Sequence, residues 1–141
     1  MEEVGERLVE AFPESATRRP IYDQWLELRE AIRAIVPLER QWLNGSFVSR
    51  KPNPRDLDVA SFVDGNAVEA LTGPERAALD SLCGGSDTER FPLCDSFLIV
   101  NYANGHPLAA VAREIEETFD SIFYGFDDRL NLAKGYLEVA G

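Results

Sequence analysis

Two prolines within three residues, in Arg50-Lys51-Pro52-Asn53-Pro54-Arg55, constrain this chain more than any other feature. Each removes a backbone donor and fixes φ, so no helix or strand can run through the segment. The apolar stretches on either side must be separate elements joined by an irregular basic loop. Upstream, residues 40–43 form a short strand candidate, which Asn44-Gly45 breaks. Downstream, residues 56–63 alternate as a strand. Leu57, Val59, Ser61 and Val63 share one face, and Asp56, Asp58, Ala60 and Phe62 share the other. Two acids on one strand face, just after a Gly-Ser step, allow three readings: a surface accident, an ion-binding turn, or a metal-dependent phosphate site.

The rest of the chain supplies partners for these strands. Residues 1–12 suit a short helix that Pro13 stops. From Ile21, the apolar residues Trp25, Leu28, Ile32 and Ile35 fall on one helical face, and Pro37 ends that helix. Asp64-Gly65-Asn66 reads as a turn. Thr72-Gly73-Pro74-Glu75 reads as a helix start, with Leu79 and Leu82 as its apolar side. Residues 94–100, CDSFLIV, have the length and apolarity of a central strand. Leu108, Val111, Ile115, Phe119 and Ile122 recur at helical spacing, and residues 134–139 suit a last strand. The order helix, strand, strand, helix, strand, helix, strand predicts an α/β (α+β) class: a small mixed sheet of about four strands with helices packed on it. No Pro/Gly/Ser linker divides the chain, and 141 residues with 45% apolar composition suit one domain over 1–141.

Net charge narrows the partners. At −11 the surface repels a phosphate backbone, so general nucleic-acid binding is not expected, although a local basic cluster can still hold a nucleotide. Cys83 and Cys94 lie in no CxxC pair and no histidine cluster accompanies them, so free thiols are expected rather than a zinc site. The acidic N-terminal segment has no apolar signal core, and no apolar run reaches the ~18 residues of a membrane span. A cytoplasmic protein without a membrane segment is the expectation.

The acids suggest a chemistry. Asp56 and Asp58, two apart on a strand, leave the same face roughly 6–7 Å apart at the backbone. Bare carboxylates that close repel, and a hard cation such as Mg²⁺ or Mn²⁺ relieves them while taking substrate phosphate as a further ligand. Asp95 opens the apolar run CDSFLIV, where an unpaired acid is costly. It is either a third ligand on a neighbouring strand or an acid at an exposed strand end. At Gly45-Ser46 a glycine allows close backbone approach to a phosphate, and the serine hydroxyl can donate to it, although Gly-Ser also occurs in ordinary turns. Arg50, Lys51 and Arg55 concentrate three of the 14 basic residues between these elements, to meet a nucleoside triphosphate, an acidic partner, or only solvent. His106 suits a loop or capping role, or a contact to substrate phosphate or base. Lys134, Arg18 and Arg19 are either phosphate ligands or turn and helix-start residues. Trp25, Trp42, Phe47 and Phe62 are expected in the core.

Gly45-Ser46, nine residues, then Asp56-Leu57-Asp58-Val59 resembles the signature of the DNA polymerase beta-like nucleotidyltransferase superfamily, with Asn44 intervening between Leu43 and Gly45. WLNGSFVSRKPNPRDLDV, CDSFLIVNYANGHPL and the terminal KGYLEV further resemble a group of small bacterial nucleotidyltransferase-like proteins. The resemblance implies a minimal nucleotidyltransferase core with Asp56, Asp58 and Asp95 as metal ligands and catalytic carboxylates, and Gly45-Ser46 as the phosphate turn. It implies attack by an acceptor hydroxyl, on a partner protein or RNA, at the α-phosphate of a nucleoside triphosphate such as ATP. It also implies a toxin–antitoxin or defence setting. The alternative is a module of the same fold that docks a partner without turnover, which the small size supports, since the superfamily's larger enzymes add a second domain to bind acceptor and base.

Overall fold

The computed structural model describes residues 1–86, 88–124, 126–127, 132–133 and 135–141, with 126–127 and 132–133 described in their backbone alone. Helix α1 (Glu2–Gly5) continues into a π-helical turn over Glu6–Glu10, and α2 (Arg18–Arg33) follows. Next come β1 (Leu38–Asn44), a 3₁₀ turn over Ser46–Val48, β2 (Leu57–Asp64), α3 (Gly65–Glu69) and α4 (Gly73–Leu82). The chain ends with β3 (Cys94–Asn101), α5 (Ala109–Phe123), a two-residue ladder of β4 (Phe126–Asp127) with β5 (Leu132–Ala133), and β6 (Leu137–Ala140).

Local chemistry sets these boundaries. In α2, Ile21, Trp25, Leu28 and Ile32 are fully buried, as their spacing requires, and the helix stops ahead of Pro37. At α4, Thr72 and Glu75 form a reciprocal capping box: each side chain accepts a hydrogen bond from the other's backbone N–H. The expected turn at Asp64-Gly65-Asn66 is instead a helix start. The Asp64 carboxylate accepts from the Asn66 N–H and caps α3.

The class is α+β: a four-stranded mixed sheet in the order β3-β2-β1-β6 with helices packed on it. Strand β1 runs antiparallel to β2 and β6, and β2 runs parallel to β3. One face buries Leu43, Leu57, Val59 and Val63 against Trp25, Leu28 and Ile32 of α2 and Leu79 and Leu82 of α4. The other buries Trp42, Ala60, Phe62 and Ile99 against Phe123 of α5. Phe47 is fully buried as well.

Two expectations change. Strand β3 is an edge strand, not a central one. Its apolar run reflects burial on both faces, Cys94 toward α2 and α4 and Ile99 toward α5, and this does not require strands on both sides. On its open edge the Gly85 N–H donates to the Ser96 carbonyl. Helix α5 turns differently from its pattern. Ala109, Ala112 and Phe123 are buried, whereas Leu108, Val111, Ile115 and Ile122 are exposed. The apolar part of this helix is wider than the sheet covers. Among the described residues, no helix is long and apolar enough to cross a membrane.

Candidate functional site

Strand register brings the acids together. Asn44 lies opposite Asp58 in the β1–β2 pair, and Asp58 lies opposite Asp95 in the β2–β3 pair. The end of β1 and the starts of β2 and β3 therefore meet at one end of the sheet. Asp58 and Asp95 point to the face that buries Ala60, Phe62 and Ile99 beneath α5, because side chains alternate along each strand. Asp56 stands one residue ahead of β2, as the last residue of the proline loop rather than the first of the strand. It remains electrostatically close to Asp95. Burial and then the charge of Asp56 hold the Asp95 carboxyl above its ordinary pKa.

Gly45 is required here on two counts. Its φ of +82° lies in the region that side chains disfavour. A Cβ at this position would come within 2.5 Å of Asp58 Oδ2. The Asp58 carboxylate thus lies against the bare backbone of the Gly-Ser step. The next residues form the 3₁₀ turn, anchored by buried Phe47 and closed by Ser49, whose N–H and hydroxyl both donate to the Ser46 carbonyl. The Ser46 hydroxyl enters no hydrogen bond among the described residues.

The basic loop is held from beneath by a residue whose role the sequence does not reveal. Arg18, expected either at a helix start or on a phosphate, is fully buried. Its guanidinium donates to the carbonyls of Phe47 (2.6 Å), Ser49 (2.7 Å), Lys51 (2.7 Å) and Leu8 (2.8 Å), and lies 3.7 Å from the centre of the Phe12 ring. Burial lowers its pKa. Asn53 adds a second tie, its side-chain oxygen accepting from the Ala16 N–H and the Ser15 hydroxyl. Between these anchors Arg50, Lys51 and Arg55 are exposed and take part in none of the ion pairs among the described residues. Arg19 is committed elsewhere, 3.9 Å from both Glu10 and Asp23.

His106 does not join this end. It stacks on Tyr102 beyond the other end of β3, where Asn101 pairs with Asp64, and its Nδ1 accepts from the Leu108 N–H in a loop-capping role. Lys134 lies outside the described residues. Cys83 and Cys94 are free thiols, pushed by burial to about 11 and about 12, values that leave them protonated and unreactive. Two shallow hollows of about 310 and 330 Å³ lie away from the acids, one between α2 and α4 and the other along α5.

An all-oxygen set of three carboxylates beside a glycine backbone matches the ligand preference of a hard divalent cation. Among the described residues no three acidic, histidine or cysteine side chains stand close enough to hold an ion as they are.

Residues 1–140 match a family described as "Family of unknown function (DUF6932)", and the chain belongs to it. No curated protein and no solved structure matches the chain.

Proposed function

We propose that this chain is a Mg²⁺-dependent nucleotidyltransferase: an acceptor hydroxyl attacks the α-phosphate of a nucleoside triphosphate, the α–β phosphoanhydride bond breaks, and the nucleoside monophosphate passes to the acceptor as pyrophosphate leaves. The observation that carries this reading is the pairing of Asp58 with Asp95 across a parallel strand pair, with Gly45 against the Asp58 carboxylate. Asp56, Asp58 and Asp95 would hold Mg²⁺ or Mn²⁺. Bound there, a divalent cation supplies charge neutralisation to the phosphates and acidifies the acceptor hydroxyl. Asp95, as a carboxylate beside the acceptor hydroxyl, would take the acceptor proton; burial and the Asp56 charge, which hold its carboxyl above the ordinary pKa, make it a stronger base than a free carboxylate. Gly45 lets the Asp58 carboxylate lie against the backbone of the Gly-Ser step, and the Ser46 hydroxyl would donate to a phosphate brought there by the cation. Arg50, Lys51 and Arg55, free of ion pairs within the described residues, offset the triphosphate charge inside an acidic chain. Arg18 positions them through the loop carbonyls. A cytoplasmic setting suits this chemistry, because nucleoside triphosphates, Mg²⁺ and reduced thiols coexist there.

Calorimetric titration with each nucleoside triphosphate, with and without Mg²⁺, tests the reading. Mg²⁺-dependent binding is expected, reduced at least tenfold by Asp58→Asn or Asp95→Asn. Metal-independent binding, or full binding in both variants, would overturn it. A second reading, a module of this fold that docks a partner without turnover, is favoured by the aliphatic row left exposed on α5.

A further inference from the structure

The exposed residues of α5 are not scattered. Leu108, Val111, Ile115, Thr118 and Ile122 follow one another at steps of three, four, three and four. That is the a/d repeat with which one helix receives another along a seam. The four aliphatic members expose 45%, 51%, 44% and 63% of their surfaces, high for large apolar side chains in one continuous row. A hollow of about 330 Å³ lined by Val111, Glu114, Ile115, Thr118 and Phe119 runs beside them. Four side chains cannot supply the ~800 Å² per partner of a stable interface, so an occupant must also cover the outer flank of the helix. That flank presents Glu114, which is exposed beside the row. The helix's one basic residue, Arg113, is held to its own backbone at the Ala109 carbonyl, on the side away from the row. A second copy of this chain would bring a like-charged flank against Glu114, in a molecule already at −11.

We infer that this face of α5 receives an amphipathic α-helix of a partner protein, with apolar residues at a/d spacing and Lys or Arg on the flank that meets Glu114. The inference deepens the partner-docking reading and is independent of nucleotide turnover. It also locates the partner. Phe119 packs on Phe97 at 5.4 Å between ring centres, and Phe97 stands two residues beyond Asp95 on the same face of β3. A helix seated on the row therefore lies on the sheet face that carries the Asp58–Asp95 pair.

The probe is a synthetic 21-residue peptide with Leu at a and d and Lys at the flanking positions, against the same peptide with Glu in place of Lys. Binding to the full chain is read by fluorescence anisotropy, and chain mass by sedimentation. The Lys peptide is expected to bind at least tenfold tighter than the Glu peptide, and Val111→Glu with Ile115→Glu is expected to weaken it at least tenfold. This double variant makes the protein more acidic, so unspecific charge attraction would strengthen binding instead, and that result overturns the inference. Equal binding of the two peptides overturns it too, as does a wild-type dimer that the double variant converts to monomer. Asp58→Asn is expected to keep full peptide affinity, which separates failure of this surface from failure of the nucleotide site.

Discussion

Single residues at the acidic end carry opposing demands of stability and function. Gly45 combines a positive φ with contact to the Asp58 carboxylate, so Gly45→Ala brings backbone strain and a collision at once. The expected loss is about 1–3 kcal/mol, read from urea unfolding, with weaker nucleotide binding than the stability loss alone explains. Asp95 makes a pH-dependent prediction. Its folded-state pKa is raised, so its stability contribution is fully present below the unfolded carboxylate pKa and is lost as pH rises through the folded value. In metal-free buffer Asp95→Asn is therefore expected to melt higher than the native chain at pH 7, with the gap shrinking as pH falls toward about 4. A gap of constant size across that range would show that Asp95 is not electrostatically strained.

The proline loop is an element without regular structure that is nonetheless fixed, and Arg18 is what fixes it. Four carbonyls, three of them in the loop or the turn before it, depend on one buried guanidinium. Arg18→Met keeps much of the side chain's bulk and removes every donor, so a loss of about 2–4 kcal/mol is expected in chemical denaturation. Trypsin is expected to cut the variant after Arg50 and Arg55 under conditions where the native loop resists, since Pro52 shields Lys51 in both. Unchanged proteolysis would mean that Asn53 and buried Pro54 suffice to hold the loop. The sequence reveals elements whose signals are local: the four-three spacing of α2, the Thr72-Gly73-Pro74-Glu75 start of α4, the alternation of β2. It does not reveal Arg18, because a guanidinium that reaches residues some thirty positions away leaves no mark on its neighbours. The orientation of α5 is hidden for a related reason. An apolar face wider than the sheet has two ways to lie, and periodicity gives the face without saying which half meets the core.

At the scale of the whole molecule, topology turns distant acids into neighbours. Asp-x-Asp is legible in the chain, and so is the isolation of Asp95 ahead of an apolar run. Their adjacency is not, because it depends on β3 pairing in parallel with β2 at a register that sets Asp95 against Asp58. The result is a concentration of negative charge within a chain already at −11. Any salt relieves the general repulsion by screening, whereas a site relieves its own share only with the right ion. Thermal melts in ~5 mM MgCl₂ and in NaCl of equal ionic strength separate the two effects. A site with a dissociation constant of about 0.5 mM would add about 1.4 kcal/mol, roughly 3–6 °C in a domain of this size, beyond what NaCl gives. That excess is expected to vanish in Asp58→Asn combined with Asp95→Asn, and the NaCl response is expected to remain. If Mg²⁺ and matched NaCl stabilise the native chain equally, these carboxylates are only part of the general surface charge.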